Sequence, residues 1–138
     1  DAEPQAAQLG FTLEFEGEDL TAVRVMGDPE LLHRVFDNLL RNAMTHAAAG
    51  RWVRLRLSVQ GDSACVQVED RGPGVLSSET EQIFQPFYRG SQTSGVNGHG
   101  LGLVIARQIV GNYGGQIKAE NRPEGGLRVS VYLPLMAL

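Results

Sequence analysis

Cysteine is almost missing from this chain. Cys65 is the only one, which excludes an internal disulfide, and its setting in the apolar run "ACVQV" marks it as a packing residue. That usage suits a reducing compartment. Long apolar runs are missing as well: no stretch approaches the ~20 residues of a membrane span, and the opening "DAEPQAAQ" lacks the basic-then-apolar order of a signal peptide. The piece is therefore expected to be soluble, even if it is cut from a membrane protein. Basic clusters with interleaved aromatics do not occur, and 12 Lys plus Arg against 16 Asp plus Glu leave a formal net charge of −4. Nucleic acid is not an expected partner, and any phosphate ligand would have to be held locally. Internal repeats and low-complexity linkers are absent. The 138 residues fit one domain, residues 1–138, large enough to bury a real core, with a polar start through Gln8 expected to fray.

Periodicity supplies the elements. "FTLEF" (11–15) alternates apolar and polar and reads as an edge strand, and "AVRVM" (22–26) does the same. In "GDPELLHRVFDNLLRNAMTHAAAG", Asp28 is placed to cap a helix, Pro29 suits its first turn, Glu30 complements the dipole and Gly50 lies just past the expected end. Strands "RWVRLRLSVQ" and "SACVQVED" flank the turn signal "GDS" at 61–63. A helical turn is expected near "SSETEQIF", a mobile loop from Gly90 to Gly98, a helix opening at about Leu101, and strands "GQIKAE" and "LRVSVYLPL", the second ended by Pro134. The order β, β, α, β, β, loop, α, β, β predicts an α/β two-layer sandwich, with two main helices on one face of a mixed, largely antiparallel sheet.

Four segments carry chemistry. On the first helix, a turn of ~100° per residue puts Leu31, Leu32, Val35, Phe36, Leu39, Leu40 and Ala43 on one apolar arc. Asn38 and Asn42 lie together at its margin. They are either helix-surface amides or a half-buried pair facing a cleft, where a neutral carbonyl oxygen is a fair magnesium ligand if phosphates bring the negative charge. In "VEDRGPGV", Asp70 sits at a strand end beside Gly72 and Gly74: a solvated turn residue, or a buried acceptor-only carboxylate suited to the exocyclic amine of adenine and hostile to guanine's carbonyl. In "IFQPFYRG", Phe84, Phe87 and Tyr88 read as anchors of a loop and Arg89 as a fork for phosphate. "GHGLGLVIARQIV" places Gly98, Gly100 and Gly102 against a helix start. Each glycine alone reads as a turn, a close crossing or a loop, and the spacing fits neither the P-loop nor the dinucleotide template. Bare amides at a helix start nevertheless make an anion site.

In order, "NLLRNA", "DRGPG", "FQPFYRG" and "GHGLGL" resemble the asparagine box, first glycine box, phenylalanine box and second glycine box of the ATP-binding catalytic domain of bacterial sensor histidine kinases, in the superfamily shared with gyrase, the Hsp90 chaperones and MutL. The resemblance runs from about Asp28 to Pro134 and includes the closing "GGLRVSVYLPL". It implies that fold, ATP and Mg2+ as ligands, Asn42 as the magnesium-binding residue, and Asn38 facing the phosphates. Both asparagines would belong to the catalytic centre. Asp70 would recognise adenine, Gly72 and Gly74 would shape that end of the pocket, and Tyr88 and Arg89 would join the site. Gly98, His99, Gly100, Leu101 and Gly102 would form the hinge of an ATP lid with amides near the phosphates.

The resemblance also implies partners: a histidine-bearing dimerisation domain of the same full-length kinase, which is homodimeric while this piece is monomeric, and a response regulator. The location it implies is the cytoplasmic side of an inner-membrane sensor. Two departures stand out. Thr45 occupies a position where the family often has Lys or Arg, so one phosphate contact is either missing or replaced by Arg89 or Arg41, and no "HELRTP"-like acceptor segment occurs. His33 is a helix-face residue in the wrong context, His46 falls within the apolar arc, and His99 belongs to the lid. Rival readings are an ATP-hydrolysing switch, a non-catalytic nucleotide-binding module and an anti-sigma-factor serine kinase. The first is disfavoured by Asn38, which stands where such switches carry a glutamate base and cannot take a proton.

Overall fold

The structure, a computed structural model, describes residues 12–17, 24–46, 51–86 and 102–136. Strand β1 (Thr12–Gly17) precedes helix α1 (Pro29–His46), followed by β2 (Trp52–Gln60) and β3 (Ser63–Asp70). Two short 3-10 turns, Ser77–Glu79 and Gln82–Phe84, lead towards helix α2 (Gly102–Asn112), and β4 (Gln116–Asn121) and β5 (Leu127–Pro134) close the chain. The strands form one sheet in the order β1-β2-β3-β5-β4. β1 runs parallel to β2, and every other pair is antiparallel. The sheet is thus mixed, with β1 on the expected edge.

Alternation sorts the two faces. Val53, Val68, Val129, Val131 and Ile117 turn to the helices and join one core with Val35, Leu39, Ala43 and Met44 of α1 and Leu103, Ala106, Ile109 and Val110 of α2. Both helices therefore lie on one sheet face, the two-layer arrangement expected from the element order. The opposite face is polar, crossed by contacts such as Gln67 Nε2 donating to Ser130 Oγ at 3.2 Å.

Helix α1 starts where its capping residues say it should. Asp28 Oδ1 accepts from the Glu30 amide at 2.9 Å, and the Asp28 amide donates to the Tyr113 hydroxyl at 3.0 Å, tying this end to the chain after α2. Gly50, expected past the end of α1, lies outside the described residues. The strand expected over 22–26 is reduced, among its described residues, to a single antiparallel bridge between Val25 and Leu135. Beside that bridge the Met136 amide donates to the Arg24 carbonyl at 2.8 Å.

Candidate functional site

Asp70 is the last residue of β3, and its side chain lies on the helix face two residues after Val68. It is 3% exposed. Its Oδ1 accepts the Gly72 amide at 2.9 Å and the Leu127 amide at 3.1 Å. Burial pushes its carboxyl above the ordinary aspartate range, and the two amides and the positive charge of Arg122 pull only part of the way back. The sequence alternative of a solvated turn aspartate is therefore set aside: the group is a buried acceptor with one oxygen fixed by two backbone donors.

Gly72 and Gly74 shape the turn that follows. Gly74 has φ +70, and a Cβ there would collide with Asn121 Oδ1. Asn121 needs that space, because its side chain closes a two-bond ring with the Val75 backbone, accepting at 3.0 Å and donating at 2.6 Å. The Asp70 turn is thereby joined to β4.

On α1, Asn38 is half-buried and its Nδ2 donates to the Gly102 carbonyl at 3.3 Å. The asparagine helix and the start of α2 are thus in direct contact. A Cβ on Gly102 would meet Asn38 atoms at 3.8 Å, an ordinary contact, so crowding by described neighbours does not require glycine there. Asn42, one turn on, is half-buried, and among the described residues its side-chain amide makes no hydrogen bond. Arg41 is exposed and paired with Asp37 at 2.6 Å, Thr45 is exposed, and His33 lies on the exposed side of the helix. Ile83 and Phe84 are buried in the core, and the Arg107 guanidinium lies 5.4 Å from the Phe84 ring centre. Phe84 is thus a core residue, and the loop it is expected to anchor lies outside the described residues. Phe87, Tyr88, Arg89, Gly98, His99, Gly100 and Leu101, the loop from Gly90 to Gly98 and the His46 side chain lie outside the described residues.

Sequence reasoning missed the support behind Asp70. Glu69 is fully buried on the opposite sheet face, held by Arg54 Nε at 2.8 Å and Arg128 Nε at 2.9 Å, with Arg122 Nε at 3.4 Å. Burial works to raise its carboxyl, but the hydrogen bonds from Arg54 and Arg128 outweigh that and hold it below the ordinary glutamate range. The available signal was a lone acid in a β-pattern opposite alternating arginines, and only the strand register shows that they meet.

A family model described as histidine kinase-, DNA gyrase B- and HSP90-like ATPase matches residues 27–137. The chain belongs to this ATPase family. The match contains Asn38, Asn42, Asp70 and the glycine segment entering α2. Among sequence relatives in this family, the sensor protein KdpD of Escherichia coli K12 is 44% identical over 117 residues, covering 85% of this chain and 13% of that protein. The sensor histidine kinase GtrS of Pseudomonas aeruginosa is 44% identical over 112 residues, covering 81% and 23%. The chain spans a small part of these relatives. A mycobacterial sensor histidine kinase, MprB, superposes with a TM-score of 0.85 at 25% identity, covering 99% of this chain and 93% of that one. Full-length ShkA in complex with AMPPNP gives 0.79 at 25% identity, covering 99% of this chain and 29% of that one. The homologues are thus sensor histidine kinases, and the structural neighbours include histidine kinase catalytic domains.

Proposed function

We propose that this chain is the kinase module of a two-component sensor: it binds Mg–ATP between α1 and the glycine segment entering α2, and donates the γ-phosphate to a histidine on a separate dimerisation domain. The observation that carries the reading is Asp70, buried and acceptor-only, with one carboxylate oxygen fixed by backbone amides. A 6-amino group has a partner there, whereas guanine's carbonyl would face an acceptor and leave it unpaired. Asn38 supports the transfer reading over a hydrolytic switch. Its amide cannot accept a proton from water, and it is occupied with the Gly102 carbonyl.

The donor set fits a magnesium ion carried by the nucleotide. The Asn42 carbonyl oxygen, half-buried on α1, would add one ligand to those of phosphates and water. Such an ion would neutralise charge on the β- and γ-phosphates. The chain's own residues then bind and orient: Asp70 at the base, Asn38 and the glycine amides at the phosphates, with Tyr88 and Arg89 as further contacts that the family resemblance implies. The full-length kinase is a homodimer on the cytoplasmic side of the inner membrane, with a response regulator as the next acceptor, and this piece alone is monomeric.

Calorimetric titration tests the reading. Mg–ATP should bind and Mg–GTP should bind far more weakly. Asp70→Asn, which turns half the acceptor into a donor, should weaken ATP by about ten- to a hundredfold, the worth of a buried polar mismatch of ~1–3 kcal/mol. An unchanged dissociation constant would remove the adenine assignment.

A further inference from the structure

Behind the Asp70 turn, on the opposite face of the sheet, the Arg122 guanidinium does more than pair with Glu69. Arg122 follows β4, and its side chain is 5% exposed. Its Nη1 donates to the Asp70 carbonyl at 3.1 Å and to the Gly125 carbonyl at 2.9 Å, so one guanidinium staples the β4–β5 hairpin to the end of β3. The guanidinium is itself held. Its Nε faces Glu69 Oε2 at 3.4 Å, its Nη2 donates to Glu124 Oε2 at 3.1 Å, and it lies 4.9 Å from the ring centre of Trp52. Trp52 is fixed in turn by its Nε1 donating to Glu14 Oε2 at 2.6 Å.

The hairpin is in contact with the carboxylate it flanks. Leu127 supplies one of the two amides on Asp70 Oδ1. Gly126, at φ +97, passes so close that a Cβ would overlap the Asp70 carbonyl and come within 2.9 Å of Arg71 Cα. If the hairpin moves, the Leu127 amide leaves Oδ1 and the carboxylate loses its aim. We propose that Arg122 is a positioning residue for base recognition: hydrogen-bonded to Glu124, paired in charge with Glu69 and set beside Trp52, it holds the Asp70 peptide and the β4–β5 hairpin in the one arrangement that presents the Asp70 carboxylate to the ligand.

The inference rests on the adenine reading of Asp70. Its chemistry favours arginine specifically. One planar guanidinium binds two carbonyls through Nη1 and a carboxylate through Nη2 while lying beside an indole, whereas the ammonium of lysine is a point donor on a single nitrogen. Positive charge beside a buried carboxylate also favours the ionised, acceptor-only form that the base needs.

The test compares the unmodified chain with Arg122→Met and Arg122→Lys by calorimetry with Mg–ATP and Mg–GTP, and by amide exchange without nucleotide. The ATP-to-GTP affinity ratio is the decisive readout, because loss of folded protein weakens both nucleotides equally and cancels. Arg122→Met should lower that ratio by about tenfold or more, equivalent to ~1.4 kcal/mol of lost discrimination, and Lys should restore part of it. The Gly72 and Leu127 amides should exchange about tenfold faster while the Val131 amide in the core keeps its protection. A folded Arg122→Met chain with the original ratio and the original exchange at both amides overturns the proposal. If the unmodified chain does not distinguish ATP from GTP, the adenine reading fails, and exchange at Gly72 and Leu127 then decides the role of Arg122 alone. If Arg122→Met does not fold, Arg122→Lys should still show a smaller loss in both readouts, and original values in it overturn the proposal.

Discussion

In the proposed site, Asp70 and Asn42 would hold their ligand groups by opposite means. Asp70 keeps an ionisable carboxylate under burial by spending two backbone amides and a nearby arginine on it. Asn42 offers a neutral carbonyl oxygen, which brings no charge to desolvate and suits a metal whose charge is met by phosphates. Asn42→Ala should therefore weaken binding with magnesium by about tenfold and leave the weak binding seen in EDTA nearly unchanged. Titration in both media is the check, and an unaltered ratio between them would return Asn42 to the status of a surface amide. At this scale the sequence was readable where a residue's neighbours are local. Asp70 announces itself through the glycines of "DRGPG". Glu69 and Arg122 do not, because they are 53 positions apart and meet only through the register of β3 with β5 and the hairpin between β4 and β5.

Helix α1 carries both asparagines, so its start sets where they lie. Asp28 caps it, Pro29 begins it, and the Tyr113 hydroxyl holds the capping residue's amide. Asp28→Ala removes the side-chain acceptor but leaves the Tyr113 bond, which uses the main chain. It should cost about 1 kcal/mol and lower Tm by about 3–6 °C for a domain of this size, measurable by thermal circular dichroism; a Tm within a degree of the original would show that the cap contributes nothing. Elements of this kind were legible because capping chemistry and the 3.6-residue period act within one segment. Two features were not. The parallel pairing of β1 with β2 leaves no mark in an alternating pattern, which fixes faces and not direction. The alternation in "AVRVM" marks extended chain, but whether that chain forms a ladder depends on a partner, and Val25 finds one residue of it.

As a whole, the molecule divides its two sheet faces by task. The helix face buries the apolar core and presents Asp70. The opposite face carries the Glu69–arginine array and Trp52 that stand behind it. A buried ion cluster is weak evidence for stability in itself, and here its geometry serves the strand end where the candidate base-recognising residue emerges. The two-layer class followed from element order, since two amphipathic helices and a set of alternating strands have few ways to bury their apolar faces.

The most direct measurement of the kinase reading incubates the purified chain with Mg–ATP labelled at the γ-phosphate, alone and with the histidine-bearing dimerisation domain proposed for the full-length protein. The account predicts very slow hydrolysis and no stable phosphohistidine on the chain alone, and acid-labile label on the added domain when it is present. Rapid release of labelled phosphate whether or not the acceptor is present, with none on the added domain, would contradict it and make the chain a hydrolytic switch.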